Sequence, residues 1–437
     1  MRKILWWQFV VLMVFIYGGV AYAEDEIYLE IYKRIPRKIK IAIPDFTVEK
    51  KDIDITDIPD IPEKAFNILT NDLIYSGIFD IVKGTVDRKD EKIDFKEWGI
   101  LGAQALVKGR CYIDKDRVSF KLWLYNVSEE NYLFGKEYSG NTEQLRMIMH
   151  TFANDIIYHL TGEEGVADTK IAFVSSSSGY KEIYIMDYDG YNIERLTNDK
   201  SIVLSPAWSP DGREIAFTSY LHKNPDLYII QANRLNKRSI SKRPGLNALP
   251  VWSPDGKRIA LVLSKDGNSE IYTMNIDGKG LNRLTNHRGI DASPAWSPDG
   301  REIAFTSDRG GTPQIYIMDA EGEGKGVTRI TYSGNYNDLP SWSPDGKLIV
   351  YTSRQNGCFE ICVLDVRSRR SYILTGGYGE KENPTWSPDG RLIAFSLKEK
   401  GESNIYVMNA DGTGQRRLTF LKGGVNYSPS WSPRLRR

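Results

Sequence analysis

The chain has 437 residues, with 58 lysines and arginines against 57 aspartates and glutamates and a formal charge of +1. That balance leaves no basic excess for a nucleic-acid surface, and three cysteines are too few for a disulfide framework. The length predicts two domains.

Met1-Arg2-Lys3 is basic, Ile4–Val20 is apolar, and Ala21-Tyr22-Ala23 places small residues where a signal peptidase reads. This pattern predicts residues 1–23 as a signal peptide cleaved after Ala23, which takes the formal charge to −1; an uncleaved anchor is the alternative. No cysteine follows the apolar run, so a lipid-modified terminus is not expected.

Residues 24–162 lack any repeat and read as a mixed α/β domain. Ile39, Ile41 and Ile43 alternate as in a strand, and Asp60–Tyr75 carries Ala65, Phe66, Leu69 and Leu73 on one helical side, with Gly77 to stop it. Phe79–Val82, Ala105–Ile113, Val118–Asn126 and Tyr132–Tyr138 are further strand candidates. A second helix, capped by Asn141 with Gln144 three residues on, carries the apolar stripe Leu145, Ile148, Met149, Phe152, Ile156, Ile157 and Leu160 and ends at Gly162. Residues 163–169 form a linker.

From residue 170 to 437 the phrase Trp208-Ser-Pro-Asp-Gly212 recurs from Trp252, Trp296, Trp342 and Trp386, and is cut short after Trp431-Ser432-Pro433. Steps of 44, 44, 46, 44 and 45 residues, each holding four short β-branched or aromatic runs, match the arithmetic of β-propeller blades. Pro-Asp-Gly suits a tight reversal between the first two strands, and turns such as Asp187-Tyr-Asp-Gly190 suit the third and fourth. The first repeat lacks a Trp-Ser-Pro and the last has nothing after it. Ser430–Pro433 is therefore expected to supply the innermost strand of the blade formed by Ile171–Leu196, closing a six-bladed ring by its C-terminal strand. One tryptophan per blade is expected to be an anchor between blades rather than a stacking platform.

No catalytic constellation emerges. His150, His159, His222 and His287 lack metal-site spacing, no Gly-x-Ser-x-Gly elbow is present, and the Asp187–Gly190 turn lacks the acidic twelfth residue of a calcium loop. No cofactor or metal is expected, and each histidine reads as an ordinary polar residue. A propeller without catalytic groups points to a recognition surface. Residues before each tryptophan ring one channel mouth: Leu204-Ser205, Asn247-Ala248-Leu249, Asp291-Ala292-Ser293, Asn337-Asp338-Leu339, Lys381-Glu382-Asn383 and Asn426-Tyr427. They mix apolar and hydrogen-bonding groups as an interface does. The loops Leu221-His222-Lys223 and Arg309-Gly310-Gly311 open on the same face.

Ile41-Ala-Ile-Pro-Asp-Phe46, Asp72-Leu-Ile-Tyr-Ser-Gly-Ile-Phe79, Trp98-Gly-Ile-Leu-Gly-Ala103, and Leu145-Arg146 with His150, Asp155 and Leu160-Thr-Gly-Glu163, followed by the Trp-Ser-Pro repeats, resemble the TolB family of the Tol–Pal envelope system. The resemblance implies a non-enzymatic periplasmic adaptor that supports outer-membrane integrity and cell division; a monomer is expected because a closed ring needs no partner to fold. Its propeller mouth would bind the peptidoglycan-associated lipoprotein Pal, through positions matching Leu246–Leu249 and Asp291–Ser293. Its N-terminal segment, with Glu24, Ile27, Tyr28, Ile31 and Tyr32, would engage TolA. Leu246, Leu249 and Ala292 are less polar than their counterparts in the best-known members. The alternative is a periplasmic glycan-binding or hydrolytic propeller using Asp291, Asp338 and Glu382 at the mouth.

Overall fold

A computed structural model describes residues 38–50, 61–84, 93–114, 117–322 and 326–435. The expected signal peptide and the segment from Glu24 to Tyr32 lie outside these residues. In the N-terminal domain the isoleucine alternation forms β1 (Ile39–Ala42), which stops before Pro44, and β2 (Thr47–Lys50) follows. Next come α1 (Ile61–Tyr75), with Pro62 in its first turn, β3 (Phe79–Val82), α2 (Phe95–Ile100), β4 (Ala105–Asp114), β5 (Arg117–Asn126), β6 (Asn131–Asn141) and α3 (Leu145–Thr161).

The sheet order is β3-β1-β4-β5-β6, with β2 beside β4. Pairs among β1, β2, β3 and β4 are parallel, whereas β4, β5 and β6 run antiparallel. Val118, Phe120, Leu122 and Leu124 on β5 point to one face, as period two dictates. Leu69 and Leu73 of α1 and Ile148, Phe152 and Ile156 of α3 cover that face. The expected capping box is present, since Asn141 Oδ1 accepts from Gln144 N while Gln144 Oε1 accepts from Asn141 N. It caps a 3-10 turn, Thr142–Gln144, so α3 itself begins at Leu145. Gly162, at φ +75°, closes the helix by donating to Tyr158 O.

The repeats fold into six four-stranded sheets. In one of them the order from the axis outward is Val203–Trp208, Glu214–His222, Asn224–Gln231 and Arg238–Ser241. The closing blade joins Asn426–Trp431 to Lys170–Ser175, with Tyr427 opposite Val174 and Trp431 opposite Ile171. Closure by the C-terminal strand is as expected, but the strand lies earlier than Ser430–Pro433. Pro433 falls outside the ladder, where its missing N–H removes no bond. Innermost strands touch in cyclic order, with Asn426–Trp431 against Val203–Trp208. The ring is shut.

Ser-Pro-Asp-Gly is a self-contained turn. Ser209 Oγ donates to Asp211 Oδ1 at 2.6 Å and accepts from Glu214 N at 2.9 Å, while Asp211 Oδ1 accepts from Arg213 N at 3.1 Å. Gly212 completes the reversal at φ +70°. The same bonds recur at Ser253, Ser297, Ser343 and Ser387. The tryptophans are buried, and Trp252 and Trp342 donate from Nε1 to Ala207 O at 3.1 Å and Ala295 O at 3.2 Å, carbonyls on the neighbouring blade's innermost strand. They are inter-blade anchors.

The glycines of the outer turns have a second duty. A Cβ on Gly278, at φ +81°, would stand 2.5 Å from Ile240 O of the adjacent blade, whereas one on Gly179, at φ +88°, would meet nothing within 4 Å. Gly179→Ala is therefore expected to cost about 1–2 kcal/mol for the left-handed backbone alone. Gly278→Ala should cost distinctly more, because a backbone carbonyl must also move. Urea midpoints of the two variants check this, and equal losses would refute the close-approach explanation.

Candidate functional site at the channel mouth and the domain interface

Ser205, Leu249, Ser293, Leu339, Asn383 and Ser428, each three residues before a repeated tryptophan, all adopt positive φ between +49° and +58°. At each of them the pairing of the innermost strand with the next shifts register. Left-handed backbone in non-glycine residues costs about 1–2 kcal/mol apiece, and bulges of this kind re-aim side chains beside functional sites. Six such positions circle the channel mouth.

The expected mouth residues divide into two layers. Leu204, Ser205, Leu246, Leu249, Ala292, Asp338, Leu339, Glu382, Asn383 and Tyr427 are partly exposed, and Ser293 is nearly covered. Asn247, Asp291, Asn337 and Asn426 are fully buried, a correction to their expected place on the surface. Each begins an innermost strand, and Asn247 and Asn337 brace the loops that feed theirs. Asn247 Oδ1 accepts from Arg243 N at 3.0 Å, Asn337 Nδ2 donates to Gln314 Oε1 and Ser333 O at 2.8 Å each, and Asn426 Nδ2 donates to Asn404 Oδ1. Asp291 pairs with Arg309 at 2.8 Å, yet burial holds its carboxyl above the usual range. Lys381, buried likewise, pairs with Glu360 at 3.2 Å.

Asp338 ties neighbouring blades together. Its Oδ1 accepts from Ser293 Oγ (2.8 Å), Thr306 Oγ1 (2.7 Å) and Leu339 N (2.7 Å), and Oδ2 accepts from Tyr336 OH at 3.2 Å. Burial, with Glu380 and Asp338 nearby, lifts the Glu382 carboxyl above its ordinary value against the pull of Lys398. Sequence reasoning missed three exposed aromatics in successive inter-blade loops, Tyr332, Tyr378 and Phe420. Tyr378 is 93% exposed on a glycine-flanked tip, Gly376-Gly377-Tyr378-Gly379. The run of glycines was the available signal.

The N-terminal domain sits on the opposite face. A cleft of about 700 Å³ runs between Lys38, Ser76 and Gly77 on one side and the Pro-Asp-Gly turns at Asp345 and Asp389 on the other. Beside it lies a buried network: Asp72 Oδ2 meets His150 Nδ1 at 2.7 Å, Asp72 Oδ1 accepts from Tyr188 OH at 2.5 Å, and Asp189 pairs with Arg146. His150 is therefore not the ordinary polar residue expected. Asp72, His150 and Asp189 are metal-ligand types within 4.8 Å of one another. Arg146 on Asp189, and Tyr188 on Asp72, give these carboxylates hydrogen-bond donors instead. The residues fit a charge network better than an ion site.

The model of the TolB beta propeller domain matches residues 157–435, and that of the TolB amino-terminal domain matches residues 27–133. Among curated relatives, the Tol-Pal system protein TolB of Geobacter sulfurreducens is 47% identical over 124 residues, covering 28% of this chain and 29% of that protein. Its counterpart in Geobacter metallireducens is 46% identical over 165 residues, covering 37% and 38%. These matches thus span well under half the length of either relative. The crystal structure of TolB from Acinetobacter baumannii, 28% identical, superposes with a TM-score of 0.79 over 91% of this chain and 97% of that one. With the propeller model alone covering more than half of its length, the chain belongs to the TolB family.

Proposed function

We propose that this chain is a non-enzymatic periplasmic adaptor of a Tol–Pal system. Its mouth takes the lipoprotein Pal, and its N-terminal segment from Glu24 communicates with TolA. The observation that carries this reading is the ring of six left-handed positions: strain repeated at the same place in every blade, around a mouth that mixes Leu204, Leu249 and Leu339 with Asp338, Asn383 and Tyr427. Strain of this sort persists where it positions groups for contact. Exposed Tyr332, Tyr378 and Phe420 extend the surface with the residue type that dominates interface energetics. A hydrolytic reading is not favoured, because Asp291 is buried against Arg309 and Asp338 is saturated with donors.

Titration calorimetry of the mature chain with the periplasmic domain of Pal from the same genome tests the proposal. Leu249→Asp and Leu339→Asp are each expected to weaken binding at least tenfold, or about 1.4 kcal/mol. Asp tolerates left-handed backbone better than Leu, but Leu249 packs against a blade core, so circular dichroism first confirms that each variant is folded. No binding by the folded wild type, or affinities unchanged in both variants, would sink the reading.

A further inference from the structure

His150, on α3, stands where the two domains meet and is 5% exposed. Nδ1 faces Asp72 of α1, in its own domain, whereas Nε2 has no hydrogen-bond partner and lies 4.0 Å from Asp189 Oδ2, which belongs to the propeller. Around this axis the domains exchange further contacts. Tyr188 of the propeller donates to Asp72, Arg146 lies 3.8 Å over Tyr191, and Arg416 lies 3.8 Å over Tyr75.

We infer that the proton on His150 is an interdomain latch: the imidazolium bridges Asp72 of one domain and Asp189 of the other, and its loss loosens the docking of the N-terminal domain on the propeller. The geometry makes the two protonation states unequal. A neutral ring that donates from Nδ1 to Asp72 turns a bare Nε2 lone pair toward the Asp189 carboxylate, two acceptors facing each other. The charged ring donates from both nitrogens, and a short movement of Asp189 closes the second bond. A buried polar atom without a partner costs about 1–3 kcal/mol. Protonation gives Nε2 a proton to share with the carboxylate it faces.

The surrounding charges favour the proton. On α1 the facing groups are Asp72 and, farther out, Tyr75. On α3 itself they are Arg146 and Glu143. From the propeller come Tyr188 and Asp189, Arg416 near Tyr188, and Lys170 and Asp187; Asp168 of the linker shares with His150 a small cavity of about 330 Å³. Burial opposes the charged ring, but Asp72, by charge and hydrogen bond, and Asp189 outweigh burial and Arg146, so His150 is held above its ordinary value of 6.5. A raised histidine contributes stability that is full below the unfolded value and lost as pH rises through the folded one. Burial also raises Asp72; the bridge needs that carboxyl ionised, so the latch holds between protonation of Asp72 and deprotonation of His150. The latch is released as pH rises through the raised value of His150. It rests on none of the partner assignments above.

The test uses the full mature chain with labelled histidines, of which the sequence has four. The imidazole signal absent from His150→Gln is expected to titrate with a midpoint above 6.5, and the radius of gyration from small-angle scattering to rise over the same pH interval. Asp189→Asn should move that midpoint down, and it identifies the signal even if His150→Gln does not fold. A midpoint at or below 6.5, a midpoint indifferent to Asp189→Asn, or a radius of gyration flat through the titration would overturn the latch.

Discussion

Deleting Asn426–Arg437 is expected to leave no folded ring. The deletion removes the innermost strand of the closing blade and exposes the inner edge of Lys170–Ser175, where Ile171, Ala172, Phe173 and Val174 are fully buried. It also removes Trp431, whose Nε1 donates to Thr169 Oγ1 at 2.8 Å, and the contact with Val203–Trp208 that completes the circle. Losing a buried tryptophan side chain alone costs roughly 3–5 kcal/mol, against a total stability of about 5–15 kcal/mol. The newly opened strand edge then invites pairing between molecules. Near-ultraviolet dichroism should lose its tertiary signal, and gel filtration should show aggregate. A monomeric truncated chain with native dichroism would mean that the ring holds without its latch.

That closure was legible because it follows from two local patterns, a first repeat lacking its inner strand and a last repeat consisting of little else. The Trp-Ser-Pro-Asp-Gly turns were legible for the same reason, since Ser209, Asp211 and Gly212 satisfy one another within six residues. What escaped is what distant residues impose. The short α2 buries only Trp98, and β2 has four residues, so neither carries enough periodicity to stand out. Left-handed backbone at Leu249 and Leu339 has no local signature, because leucine does not seek that region and the bulge follows from pairing with the adjacent strand. Asn247, Asn337 and Asn426 looked like variable loop residues, yet each satisfies backbone or side-chain groups beneath the mouth. The domain interface was least visible. Asp72, His150, Asp189 and Arg416 are gathered from four separate stretches of chain, and only packing the N-terminal domain on the Pro-Asp-Gly face brings them together.

Trp342 separates the two meanings a repeated tryptophan can have. Its ring is packed among Ile317, Ile330, Ile349 and Leu364, and its Nε1 reaches Ala295 O on the neighbouring blade. Trp342→Ala is expected to cost about 3–5 kcal/mol, through the cavity left between blades and the loss of the group that satisfied the carbonyl. Trp342→Phe keeps much of the ring and gives up the hydrogen bond, so it should cost about 1–2 kcal/mol more than an isosteric change, but far less than the alanine. Chemical denaturation of both variants gives the ratio. Partner affinity gives the decisive comparison, because the ring faces the blade interior rather than the mouth. An anchor would leave the affinity of the folded Phe variant unchanged. A Phe variant of native stability that binds a mouth ligand more weakly would show that the indole reaches the ligand, contrary to its burial between blades.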